Sequence, residues 1–225
     1  MAVQTAFRQE PLRASEAQLL RVESGGTAAH PYYERLLAGF GHTASRNLSD
    51  AVHLFCAIYG RHPGLIELAL QACGGDSARD WLRATSDAFE RERLFLVRLT
   101  SAVGPLPSTP GAAQTESTLL AQRHALETLV GSERRGCALG AVTALVADWP
   151  SIRAVLGRAA DRLGVEVPAC AMPEVDSVVA VIDQGVDGLG PERALGFGGE
   201  QLLLQNRGLL DLIEARADAR DKAEA

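Results

Sequence analysis

"EVDSVVAVIDQG", residues 174–185, decides the fold class of this chain. Its valines favour a strand by propensity, because β-branched side chains suit a pleated, half-buried surface. Yet Val175, Val178, Val179 and Ile182 recur at steps of three and four, the spacing of one helix face. No second strand pattern occurs elsewhere to pair with it. The stretch therefore reads as helix, and the chain as all-α: a single-domain helical bundle of about eight helices, with two long central helices antiparallel.

The neighbours of this stretch are punctuated by glycine and proline. "VEVPACAMP" (165–173) reads as a loop, and "GVDGLGPERALGFGG" (185–199) as a connector with helix stops. The latter lacks the GK[ST] ending of a phosphate loop, and no strand–turn–helix unit surrounds it as a dinucleotide fingerprint requires. A last amphipathic helix follows at 200–217. Upstream, helices are expected at 151–164, 112–147, 77–103, 62–73, 48–59 and 31–40, with Pro150 interrupting or bending the chain. Ser15 to Gln18 has capping-box spacing ahead of "EAQLLRVE", while Asn47 and Asp50 suit the start of the 48–59 helix. Residues 1–13 read as a flexible N-terminus, 14–217 as the domain, and 218–225 as a frayed polar tail.

Of the 225 residues, 47% are hydrophobic and 22% charged, enough for a full hydrophobic core. The net charge of −6 argues against a nucleic-acid partner, which calls for a basic face. Lys222 is the only lysine, a bias that reads as a GC-rich bacterial genome. The first residues lack a signal-peptide apolar core, and "GCALGAVTALVADW" (136–149) is short for a membrane span. A cytoplasmic location without membrane association is expected. Cys56, Cys73, Cys137 and Cys170 form no C-x-x-C pair, which suits reduced, mostly buried thiols and not a zinc site.

Helical phase then selects candidate site residues. In the helix from 77 to 103, Glu92 lies about 20° from Trp81 on the apolar stripe. In the 112–147 helix, Glu133 lies about 40° from Leu119, and Cys137 stands one turn further on the same face. A buried carboxylate needs pairing, hydrogen bonding or neutralisation, so two of them suggest a shared polar pocket, unless arginines pair them separately. His124 and Glu127 point away from their stripe, to solvent. Asp50 and His53 sit one turn apart on a helix apolar almost all round. They could bind a metal or fix a base, or serve the helix start and the core. His30, before Pro31, and His42, after a glycine stop, read as helix punctuation.

"HPYYERLLAG" (30–39), followed about twenty residues after its histidine by "DAVHL" (50–54), resembles the opening of proteins of the TenA/haem-oxygenase-like superfamily. The resemblance implies an all-α domain of about this length. In thiaminase-like members the Asp holds the substrate's pyrimidine ring, a cysteine on a later long helix is the nucleophile, and a glutamate on the last helix is acid or base. Asp50 matches by position, Cys137 lies at a comparable distance along the chain, and Glu200 or Glu214 stands for the last role, with no motif to choose between them. His53 stands where an aromatic is usual, and Ala141 where thiaminases carry a tyrosine. Other branches hold a di-iron centre, which here would draw on Asp50, His53, Glu92 and Glu133.

Asp50, Cys137 and Glu133 are thus the catalytic candidates, and His53 and Glu92 the metal-binding ones. The cofactor is either none or a di-metal centre. Two readings stay open: a small-molecule pocket with hydrolytic or metal-dependent oxidative chemistry, and a non-catalytic interaction or regulatory domain. A homodimer is left open as the assembly.

Overall fold

The computed structural model describes residues 12–73 and 76–225. Its elements are α1 (Ala14–Gly25), a 3-10 turn (Thr27–Ala29), α2 (Pro31–Ala38), α3 (Gly41–Tyr59), α4 (Leu65–Ala72), α5 (Asp76–Ala102), α6 (Ala112–Val130), α7 (Cys137–Leu163), α8 (Val175–Gly185) and α9 (Leu189–Glu224). Residues 174–185 are helical, and no strand occurs among the described residues. Val178, Val181 and Ile182 turn inward from α8, so the stretch buries one helical face.

At the centre lies α7. Its residues from Cys137 to Ala160 contribute Leu139, Val142, Leu145, Trp149, Ile152 and Leu156 to a single core. By length and composition α7 could cross a bilayer, but 72% of its most apolar window is buried within the bundle. α9 crosses it at backbone contact. A Cβ on Gly140 would overlap the Leu195 carbonyl, and one on Gly198 would overlap the Cys137 carbonyl. α1 lies alongside, where Gly199 leaves room for the Gln18 amide. Gln18 donates to the Gly140 carbonyl at 2.7 Å and to Thr143 Oγ1 at 3.2 Å, stitching α1 to α7.

Several boundaries differ from the sequence reading, each for a local reason. Residues 189–199 are not a connector: the glycine-rich stretch is the first part of α9, and its glycines permit the close crossing. The helix expected over 112–147 is two helices. Gly136 turns the chain at φ +98°, a conformation that favours glycine, and α7 starts at Cys137. α7 then runs through Pro150, since the loss of one N–H donor is outweighed by its buried flanks. At α1, Glu16 and not Gln18 reaches back, accepting from the Arg13 N–H at 3.1 Å, while Ser15 and Gln18 are buried. α3 begins at Gly41, so Asn47 and Asp50 lie inside it and not at its start. Residues 1–11 lie outside the described residues. In the tail, α9 continues to Glu224, with Arg220 buried and Arg46 bonded to Glu224.

Candidate functional site

Asp50 has no exposed surface. Its carboxylate accepts from Arg216 Nη2 at 3.0 Å and from Arg220 Nη1, both on the last turns of α9. The two guanidiniums also reach Thr109 Oγ1, at 3.1 and 2.7 Å, and Arg220 donates to Asn47 Oδ1 at 2.7 Å. Asp50 thus clamps the end of α9 and the 103–111 loop to α3. Nearby Tyr32 has a buried hydroxyl with no hydrogen-bond partner among the described residues. Burial pushes its pKa up to about 12, with Arg35 and Arg220 opposing the rise.

Glu92 is buried, as its helical phase requires, and sits in a second network. It accepts from Trp149 Nε1 at 3.0 Å, Arg153 Nη1 at 2.6 Å and the Ala171 N–H at 3.0 Å. His53 Nε2 is 2.8 Å from the Gly104 carbonyl, which implies a donating N–H there. Glu133 stands on the exposed loop between α6 and α7. The structure therefore does not gather Asp50, His53, Glu92 and Glu133, and a di-metal centre built from them does not fit. Among the described residues, the histidine and carboxylates close enough to share one ion are His62, Glu67 and Glu90. Arg93 already holds them: its guanidinium contacts Glu67 at 2.6 Å, Glu90, and His62 Nδ1 at 3.2 Å. The cation of that cluster is an arginine.

Cys137 opens α7 and is buried, its thiol 3.8 Å from the Leu129 carbonyl. It lines a groove of about 550 Å³ between α6, the 131–136 loop and α9. His124, Thr128, Ser132 and Arg134 form one wall, and Phe197, Gln201 and Gln205 the other. Asp50 lies far from it. Gly198 touches Cys137 and Arg216 bonds Asp50. Eighteen residues of α9 separate these two contacts. At helical rise that is roughly 27 Å. Of the two late glutamates, Glu214 pairs with Arg35 at 2.6 Å, and Glu200 borders a smaller depression with Arg21 and Arg207.

The sequence reading missed a third buried carboxylate. Asp148 is 1% exposed. It accepts from the Thr27 N–H at 2.8 Å, Thr27 Oγ1 at 2.7 Å and Asn206 Nδ2 at 2.8 Å, and Asn206 in turn accepts from the Tyr59 hydroxyl. No cation pairs with it among the described residues. Burial pushes Asp148 above the ordinary carboxylate range, though its three donors pull it back. Burial also raises Tyr59, and the nearby Asp148 carboxylate adds to it. A signal was present: Asp148 follows Cys137, Ala141 and Ala144 on one helical stripe, at steps of four, three and four.

His30 settles as a cap. Its Nδ1 accepts from the Tyr32 N–H at 3.1 Å, so Nε2 carries the proton facing Asp211 at 3.0 Å.

A family model described as "Family of unknown function (DUF6975)" matches residues 22–221. No curated protein and no solved structure matches the chain.

Proposed function

The chain belongs to the family DUF6975, and on that footing we propose that it is a non-catalytic helical domain that binds a small molecule in the groove between α6 and α9. The observation that carries this reading is the groove itself. Its volume of about 550 Å³ lies within the range of small-molecule sites. Its walls mix an apolar floor, Leu129 and Phe197, with hydrogen-bonding groups at Thr128, Ser132, Gln201 and Gln205. The inward carboxylates, by contrast, already have partners: Asp50 two arginines, Glu92 an arginine and an indole, Asp148 three donors. None is free to activate water or hold a metal.

A TenA/haem-oxygenase-like ancestry belongs to the same proposal. Its support is the His30-Pro31 opening, the spacing to Asp50 and the all-helical architecture. In this reading the chain keeps the frame, and the position that would hold a substrate ring, Asp50, has become an internal ion-pair anchor. A cytoplasmic location fits the acidic composition and the burial of α7.

Fragment mapping by protein-observed NMR tests the proposal. Shifts should gather at Thr128, Ser132, Phe197 and Gln201, and should vanish in Ala125→Trp, which fills the groove from an exposed position of α6. Shifts gathered elsewhere overturn it. One observation favours a second, thiol-dependent hydrolase reading, namely that Cys137 lines the groove. Under that reading an activated ester is turned over by the wild type and not by Cys137→Ala. Under the binding reading, Cys137→Ala leaves ester hydrolysis at the same background rate as the wild type.

A further inference from the structure

The ligand class of the groove follows from its charge. The chain carries 28 acidic against 22 basic side chains, yet the groove lining holds Arg134 and His124 and no aspartate or glutamate. The carboxylates nearest along the chain are otherwise placed. Glu127 is paired with Arg123 at 2.6 Å, Glu133 is exposed on the 131–136 loop and does not line the groove, and Glu200 lies with the depression on the α1 side of α9. Arg134 itself is exposed and forms no ion pair among the described residues; Arg21 and Arg207, at the depression on the α1 side of α9, form none either, but there the lining includes the carboxylate of Glu200. An unpaired guanidinium at the rim of a concave, partly apolar site attracts an anion, and its planar fork suits a carboxylate, sulfonate or phosphate. Phe197 and Leu129 supply an apolar surface beside it.

Resting on the proposal that this groove is the ligand site, we infer that its ligand is a small amphipathic anion, with the acid group on Arg134 and an apolar or aromatic body against Phe197 and Leu129. Arg134 is the specificity determinant. Gln201 and Gln205 on the opposite wall hydrogen-bond polar atoms of the body without demanding charge.

A pair of dyes that differ in one group tests this. 8-Anilinonaphthalene-1-sulfonate carries a sulfonate, and N-phenyl-1-naphthylamine is its neutral counterpart. Fluorescence titrations are run on the full chain and on Arg134→Gln, Ala125→Trp and Thr128→Trp, each checked for an unchanged thermal midpoint and circular dichroism spectrum. The two tryptophan variants fill the groove from exposed positions, so either serves if the other fails to fold. The expected result is one sulfonate dye per chain, bound about tenfold more tightly than the neutral dye. Arg134→Gln should erase that difference by weakening only the sulfonate dye, and the filled grooves should bind neither. Equal affinities in the wild type, insensitive to Arg134→Gln but lost in the filled grooves, overturn the anion inference and leave the groove as a ligand site. Dye binding that survives both filled grooves, or no binding of either dye, overturns the groove reading as well.

Discussion

A carboxylate with no exposed surface persists only where cations and donors replace its hydration, and Asp50 has both. Removing its charge leaves Arg216 and Arg220, each 3% exposed, facing a neutral amide in the interior. Asp50→Asn should therefore lower stability by about 3–5 kcal/mol, read from urea unfolding at neutral pH. A loss under about 1 kcal/mol would mean that the arginines swing out to water and that the clamp contributes little. The effect belongs to stability: a ligand that stabilises the wild type through the groove should still bind the folded fraction of the variant. At this scale the sequence was half legible. Helical phase points Glu92 inward, and it is buried. It does not give the partner, because Arg153 is 61 residues away on another helix. Nor does it separate a site from a clamp, since a buried acid looks the same in one dimension whether a metal or an arginine faces it. Asn206, Leu209, Ile213, Arg216 and Arg220 lie on one stripe of α9, buried together, so the partners of Asp50 were present as a pattern that ends only beyond the expected end of the helix.

Two helices that touch at backbone level must present hydrogen where they cross, and α7 and α9 do so at Gly140 and Gly198. A methyl at either position would overlap a main-chain carbonyl, which cannot rotate aside as a long side chain can. Gly140→Ala and Gly198→Ala should each cost about 3 kcal/mol or more, by forcing the helices apart. Gly157, also inside α7, has nothing within 4 Å of where its Cβ would lie. Gly157→Ala should stabilise by about 0.4–1 kcal/mol, since it removes only the backbone freedom of the unfolded chain. Thermal or chemical unfolding of the three variants side by side decides the matter: equal effects of one sign would refute the crossing as the cause. The same contrast explains what sequence alone misread among the elements. Glycines at helix ends and glycines at helix crossings are identical in composition, and the partner that distinguishes them, α7, lies 55 to 61 residues upstream at the crossing contacts. Periodicity, which reports burial within one element, found α5 and α8 well. It merged α6 with α7 because apolar residues continue in phase across the 131–136 loop, whose turn depends on Gly136.

Asp148 is where the molecule is tied together. Through Thr27 it holds the turn between α1 and α2, through Asn206 it holds α9, and the Tyr59 hydroxyl on Asn206 brings in α3. Gly26 lets the turn approach, since a Cβ there would lie 2.7 Å from Asp148 Oδ1. Because no arginine pairs with it among the described residues, this junction responds to pH in the opposite sense to an arginine-paired acid such as Glu67. An acid whose folded pKa is raised holds its proton more tightly in the native state than in the unfolded chain. Its contribution is fully present below the unfolded value, near 3.8, and is lost as the pH rises through the higher folded value. Glu67 runs the other way. Burial pushes it up, but hydrogen bonds and charge from Arg93 outweigh this and hold it below 4.5, so its contribution is lost as the pH falls. Comparing wild type with Asp148→Asn cancels Glu67 and isolates the junction. Asparagine can keep the contacts: its oxygen accepts from the Thr27 N–H, and a flipped Asn206 amide accepts from its nitrogen while donating to Tyr59. The unfolding free energy of wild type minus that of the variant should therefore decline as pH is raised above 3.8, then level off once Asp148 is ionised in both states. A flat difference, or one that grows with pH, would mean that the donors of Thr27 and Asn206 outweigh burial and that Asp148 is an ordinary ionised anchor.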